Sequence, residues 1–331
     1  AQPRYRNYAM SKPNDPLYAN QWNFPAIDME RAWDIQPGAT TDIIVAVLDS
    51  GVAFHSGTFR YNSRFPFRVT PGGPLYPALG IVDVPFAAAP ELGASGSTRF
   101  VAPRDFIWDD NFPVDLDSHG THVTGTVGQL TNNSLGVAGM AYNVRIMPVK
   151  IIQAVWDEIF SSPNEGTDDV VARGIRYAAD NGAKVINLSI GRSSGGPAPV
   201  VTDAMRYAVG RGVFIAVASG NTRNSGNQPN RLAQHAPDIN GMVAVGGSAA
   251  RSTRPTTRPR ARSWSWRRPA ATSAPAARAP ASCSRRSTWT CSKPTIGHRR
   301  NTGRRGPTRF PITTSRAPRW RRRTSRALPR C

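Results

Sequence analysis

Apolar residues in the first 250 positions fall alternately into short unbroken runs and longer periodic stretches. The run at positions 43–48, I-I-V-A-V-L, is continuous and rich in β-branched residues. Such a run predicts a strand that is buried on both faces of a parallel sheet. Strands alternating with helices predict an α/β fold, a mostly parallel, doubly wound sheet with helices on both faces. The further predicted strands lie at 144–150, 184–190, 213–218 and 242–245, and amphipathic helices lie at 168–181 and 200–211.

The stretch at 117–126, D-S-H-G-T-H-V-T-G-T, predicts the start of a further helix. Asp117 and Ser118 belong to residue types that cap helix N-termini, and small residues follow the histidine. His119 would therefore face a cleft from the first turn, where it can act as a catalytic base. A lone histidine at a capped helix is more often structural, so its partners must decide between the two interpretations.

Three predicted strands end in residues that suit a binding site. Asp49 ends the first run, Ser189-Ile190-Gly191 ends a later strand, and Ser219-Gly220-Asn221 follows the next. Open α/β sheets build their sites at the carboxyl ends of strands, although a capping role for Asp49 is equally compatible with the sequence. Backbone after the later strand can pair with an extended peptide. The Asn221 amide can stabilise an oxyanion, and the alternative is an ordinary turn asparagine.

Positions 52–114 form a long connection rich in proline, glycine and aromatic residues. Connections of this length are usually functional insertions or disordered segments. Acidic residues gather at its end, ahead of the histidine, and oxygen ligands of this kind bind calcium. Their spacing matches no calcium-binding loop, so a solvated acidic loop is the favoured interpretation and structural calcium the alternative. The acidic residues are Asp105, Asp109, Asp110, Asp115 and Asp117.

Charge divides the chain near residue 250. Of the 42 Lys and Arg residues, 23 follow Ala250, where there is no Asp or Glu, and all three cysteines fall there too. We therefore expect an N-terminal arm (1–40), an α/β domain (41–250) and a basic tail (251–331) that stays disordered. The sequence begins at Ala1 without an initiator Met, a signal segment or a membrane-spanning run, as expected of a processed or partial sequence.

Four motifs in order resemble the subtilisin-like serine proteases: V-L-D-S-G-V, H-G-T-H-V-T-G-T, N-L-S-I-G and A-S-G-N, over residues 15 to about 250. The resemblance implies that Asp49 orients the imidazole, His119 is general base and then general acid, and Asn221 donates to the oxyanion. It implies substrate binding by the segments 189–191 and 219–220, a structural role for His122, and no cofactor for the chemistry. It also implies a secreted enzyme acting on proteins or peptides, with no membrane partner.

The nucleophile of this family lies in G-T-S-M-A-x-P, and no such motif exists in the chain as written. The chemistry needs a serine hydroxyl within hydrogen-bond distance of the imidazole. Ser273, Ser315 and Ser325 each follow a threonine, but none has small, apolar surroundings. The α/β domain is therefore expected to be incomplete at its C-terminal end, with no nucleophile in frame.

The tail has the composition that GC-rich DNA gives in a wrong reading frame. A shifted codon takes the third base of one codon and the first two of the next. In that frame, 263–272 permits L-V-V-A-A-P-G-G-D, and 316–331 permits G-T-S-M-A-A-P-H-V-A-G-V-A-A-L. Fifteen consecutive matches are far beyond an accidental motif hit. We therefore expect a frameshift near residue 250, through either a sequencing error or a mutation, and an inactive chain as written.

Two other functions remain open at the level of sequence. The basic tail, with Trp264, Trp266, Trp289 and Trp320 interleaved, can bind phosphates and stack on bases. Accidental binding of polyanions is favoured over an evolved nucleic-acid function, because charge alone suffices. A pseudoprotease that binds peptides without cutting them shares every residue with the protease and differs only in the true gene sequence.

Overall fold

The computed structural model describes residues 12–93, 97–192, 198–221 and 230–247. The predictions made for the tail, including its disorder and its missing nucleophile, fall outside these residues.

A six-stranded sheet lies at the centre of the fold. Its strands follow the order β4-β5-β1-β6-β7-β8, and each neighbouring pair is parallel. The prediction of a mostly parallel α/β sheet is confirmed. The strands of this sheet are β1 (Ile44–Asp49), β4 (Arg104–Asp105), β5 (Arg145–Lys150), β6 (Val185–Leu188), β7 (Phe214–Ala218) and β8 (Met242–Val245); β2 (Gly57–Ser63) and β3 (Gly80–Phe86) lie outside it.

Helices cover both faces of the sheet. Leu48 of β1 packs into a core shared with the longest helices, whereas Val47, one residue earlier, packs with Val123 on the opposite face. This alternation is the period of two that a strand imposes on its side chains. The helices are α1 (Asn23–Ala26), α2 (Met29–Ile35), α3 (His119–Gly128), α4 (Val155–Ile159), α5 (Asp168–Asp180) and α6 (Pro199–Gly210).

Glycine ends both long helices, as their sequence predicts. Gly182 follows α5 with φ +85° and Gly212 follows α6 with φ +81°. A residue beyond the end of a helix commonly adopts this left-handed conformation, and only glycine does so without a steric penalty. The chain therefore turns directly into β6 and β7.

The long connection at 52–114 contains structure that its sequence did not predict. β2 and β3 pair antiparallel as a hairpin, which places Tyr61 opposite Val82. The Tyr61 ring stacks on Phe160 beside α4, with 4.7 Å between the ring centroids. Proline and glycine interrupt the apolar pattern between the two strands, so the pattern alone did not reveal the pairing.

The N-terminal segment packs on the rest of the fold through aromatic side chains. Tyr18, Phe24 and Trp33 form a cluster with Ala138. The indole of Trp33 also donates a hydrogen bond to the Met140 carbonyl oxygen at 2.8 Å. Within the ranges that the structure describes, no helix has the length and apolar character needed to cross a membrane.

Candidate active site

Asp49 and His119 meet at the carboxyl edge of the sheet. Asp49 is the last residue of β1 and His119 the first of α3. His119 Nδ1 lies 2.7 Å from Asp49 Oδ1. The Asp49 side chain is 1% exposed and that of His119 49% exposed, so a buried carboxylate holds a ring that solvent can reach.

The local environment favours an imidazole with high proton affinity. The hydrogen bond to Asp49 raises the pKa of His119, and the charges of Asp117 and Asp115 raise it further. Burial raises the pKa of Asp49, although hydrogen bonds from His119 and from the Ser50 backbone act in the opposite direction. When Nδ1–H donates to the carboxylate, Nε2 of the neutral ring is left as the basic atom.

The cap of α3 differs from the one that the sequence predicted. Ser118 adopts φ +83° and makes no side-chain capping bond. The Asp115 carboxylate instead accepts from the backbone N–H groups of Asp117, Ser118 and Thr121. The prediction that Asp117 and Ser118 cap the helix is wrong, because a carboxylate from the preceding turn reaches these donors first.

Two glycines allow β1 and α3 to approach closely. A Cβ atom on Gly120 would lie 2.1 Å from the Gly51 carbonyl oxygen. Gly51 itself has φ +121° and lies against the backbone of Val114. No larger residue fits at Gly120 without displacing the turn that carries Asp49.

The other predicted site residues lie at the same edge of the sheet. β6 pairs with β1 and with β7, so the segments after β6 and β7 follow Asp49 across the edge at about 5 Å per strand. Ser189 accepts a hydrogen bond from Asn187 at 2.9 Å. Asn221 is exposed and follows Gly220, which has φ +105°. His122 is exposed on α3.

Asn230 connects the segments that follow β6 and β7, and no motif in the sequence pointed to it. Its side chain is buried, and its Nδ2 donates to the carbonyl oxygens of Ile190 and Ala218, at 2.9 and 2.5 Å. Its Oδ1 accepts from the Arg192 and Leu232 backbone N–H groups.

Comparison with known proteins places the chain in a family. The model of the peptidase S8 family, the subtilase family, matches residues 40–304. The chain belongs to the subtilase family. It is 30% identical to thermitase of Thermoactinomyces vulgaris, over 64% of this chain and 59% of thermitase. It is also 30% identical to a thermophilic serine proteinase of Bacillus sp. strain AK1, over 68% of this chain and 44% of that protein.

Among solved structures, a protease from Pseudoalteromonas arctica is 28% identical, with a TM-score of 0.38 over 64% of this chain and 60% of that one. The chain spans about half the length of the curated relatives it matches.

The acidic group ahead of α3 does not fit a calcium site. Asp115 is engaged by the start of α3, and Asp105 accepts from the backbone N–H groups of Ile107 and Trp108. Over the described ranges, no three His, Cys, Asp or Glu side chains are grouped so that they could hold a metal ion. Asp15 and Glu91 form a second acidic pair: burial raises the pKa of Glu91 and the charge of Asp15 raises it further, while Asp15 accepts from the backbone N–H groups of Asn132 and Asn133.

A buried ion cluster of Lys150, Asp105 and Asp157 lies next to Asp49. Lys150 pairs with Asp49 in the register of β1 and β5 and is completely buried. Its Nζ lies 2.7 Å from Asp157 Oδ1 and 4.0 Å from Asp105 Oδ2. It also donates to the Val114 carbonyl oxygen at 2.8 Å, which fixes the segment leading to α3.

The cluster predicts a specific dependence of stability on pH. Burial raises the pKa of Asp105 to about 7, although Lys150 lowers it, whereas an unfolded aspartate titrates near 4. Between these values the folded chain binds more protons than the unfolded chain, so its stability falls as pH rises from about 4 to about 7. Asp105→Asn keeps the acceptor oxygen and should remove this part of the slope in urea unfolding.

Asp83→Asn is the matched control, because the hydrogen bond from Arg60 lowers the pKa of Asp83, the direction opposite to that of Asp105. An unchanged slope in Asp105→Asn would contradict the raised pKa.

Proposed function

We propose that the intact gene product is a serine endopeptidase, and that the chain as written lacks its nucleophile. The observation that supports this most is the hydrogen bond between Asp49 and His119 at the carboxyl edge of a parallel sheet. Membership of the subtilase family supports the same reaction class. Peptide-bond hydrolysis through an Asp, His and Ser triad is the function that this site suits best.

In this mechanism His119 moves the protons. Asp49 holds Nδ1–H, so Nε2 takes the proton of the attacking serine hydroxyl while its oxygen bonds to the peptide carbonyl carbon. The imidazolium then gives that proton to the leaving amine, and an acyl-enzyme remains. Nε2 next takes a proton from water, the water oxygen bonds to the ester carbon, and Nε2 returns the proton to the serine oxygen as the acid is released. Asn221 would donate to the oxyanion formed in each step.

An extended peptide would bind along the segments that follow β6 and β7. Backbone groups at Ser189, Ile190 and Gly191 suit strand addition, and Ser219 and Gly220 would border the reacting carbonyl. The Asn230 side chain fixes these two segments to each other. We propose proteins or peptides as substrates and an extracellular location, as the family resemblance implies.

The nucleophile would be encoded in the shifted frame, by a serine codon that spans the codons of Pro318 and Arg319. Both residues fall outside the described part of the chain. A pseudoprotease would keep Asp49 and His119 but lack this codon. Binding of polyanions by the tail would be an accident of its charge.

Restoring the frame should restore activity. We expect the frame-restored enzyme to cleave a peptide substrate and to be inactivated by a serine-directed phosphonate. The chain as written should be slower by about 10⁴-fold or more, as when a triad residue is lost, with a residual rate from binding and oxyanion stabilisation. His119→Ala in the frame-restored enzyme is the matched control and should be similarly slow. Full, phosphonate-sensitive activity in the chain as written would refute the missing nucleophile.

We further propose that a structural calcium ion binds at Asp15 and Glu91, since oxygen ligands suit this cation. Calcium at about a hundred times its Kd should raise the midpoint of thermal unfolding by several degrees. Glu91→Gln should abolish the shift, and Glu165→Gln, at an exposed position, should retain it. An equal calcium response in Glu91→Gln would exclude this site.

A further inference from the structure

The Asp115 carboxylate accepts hydrogen bonds from two side-chain hydroxyl groups and three backbone N–H groups. Oδ1 accepts from Ser50 Oγ at 2.9 Å and from the backbone N–H groups of Asp117 and Ser118 at 3.0 and 2.9 Å. Oδ2 accepts from Thr121 N at 2.8 Å and from Thr121 Oγ1 at 2.5 Å. Hydrogen bonds to a charged acceptor are about twice as strong as neutral ones.

The same partners join the turn after β1 to the first turn of α3. Ser50 Oγ accepts from Gly120 N at 3.0 Å, and Thr121 Oγ1 accepts from Ala53 N at 2.9 Å. Ser50 directly follows Asp49, and Gly120 directly follows His119. The hydrogen bonds around Asp115 therefore connect the neighbour of the carboxylate to the neighbour of the imidazole.

We propose that Asp115 is a positioning residue, which sets the distance between Asp49 and His119 by holding their two turns together. Within the described ranges its carboxylate makes no hydrogen bond to Asp49 or to the His119 ring. The His119 ring is half exposed and starts a helix, and among the described residues its side chain is hydrogen-bonded to Asp49 alone. The inference rests on the proposed function for its catalytic meaning, but its test measures the hydrogen bond itself and not proteolysis.

Asp117 offers a control that separates position from charge. Both Asp115 and Asp117 raise the pKa of His119 through their charge. Asp117 is exposed, and in the described part of the chain only its backbone N–H joins the network. If Asp115 acted through charge alone, neutralising either residue would have the same effect on the dyad.

The test follows the His119 Nδ1 proton by NMR in the full-length chain, selectively labelled with ¹⁵N-histidine. The signal is assigned through its loss in His119→Gln. We expect a low-field proton from the bond to Asp49 in the wild-type chain and in Asp117→Asn. In Asp115→Ala we expect this proton to exchange with water about tenfold faster or to disappear, an effect of the size that one lost hydrogen bond gives.

A second pair of variants keeps the test decisive if Asp115→Ala does not fold. Thr121→Val removes the hydroxyl that links Asp115 to Ala53 while keeping the side-chain volume, and Thr121→Ser keeps that hydroxyl. We expect faster exchange in Thr121→Val and recovery in Thr121→Ser. Cooperative urea unfolding of each variant checks that the fold is intact.

Two results would overturn the inference. One is a wild-type exchange rate in folded Asp115→Ala or, if that variant does not fold, in Thr121→Val. The other is equally faster exchange in Asp115→Ala and Asp117→Asn, which would assign the effect to charge. Neither result depends on whether the chain cleaves peptides, so the proposed function can fail or hold independently.

Discussion

The site depends on the close contact between the turn after β1 and the first turn of α3. Gly120 packs so tightly against the Gly51 carbonyl oxygen that a Cβ atom would have no room. This contact brings a buried carboxylate to within 2.7 Å of a solvent-accessible imidazole. Burial raises the pKa of Asp49, and hydrogen bonds from His119 and from the Ser50 backbone reduce that rise in part. Packing therefore sets the distance between Asp49 and His119, and the hydrogen bonds reduce the cost of burying the charged Asp49 carboxylate.

Two charged residues hold this contact, the buried Lys150 and the half-buried Asp115. Lys150 donates a hydrogen bond to the Val114 carbonyl oxygen, and Asp115 accepts one from the Thr121 backbone N–H in the first turn of α3. Charged groups without partners are costly in an interior, and here the Lys150 ammonium group pairs with Asp157 while the Asp115 carboxylate accepts hydrogen bonds from Ser50 and Thr121. Of these two residues, only Asp115 lies in the acidic segment whose composition also suits calcium.

The sequence predicted the sheet well because its strands are buried on both faces and read as unbroken apolar runs. The same rule places Asp49 and His119 at one edge, and the short motifs around them indicated the family. The hairpin of β2 and β3 was missed because its stability comes from contacts such as Tyr61 with Phe160, which are distant in sequence. The cap by Asp115 and the bridge by Asn230 were missed because their partners lie on other turns.

We propose that Asp49 and His119 serve a serine nucleophile that only the shifted reading frame encodes. The genetic code makes this claim specific, since the shifted frame yields Ser and then Met only if the codons of Pro318 and Arg319 are CCT and CGA. The most direct measurement is the nucleotide sequence of the gene from codon 246 to its end. We expect these two codons, and one base more or two fewer near codon 250 if the shift is a sequencing error. Any other codon at Pro318 or Arg319 would contradict the frameshift, because the shifted frame would then lack the serine that His119 needs.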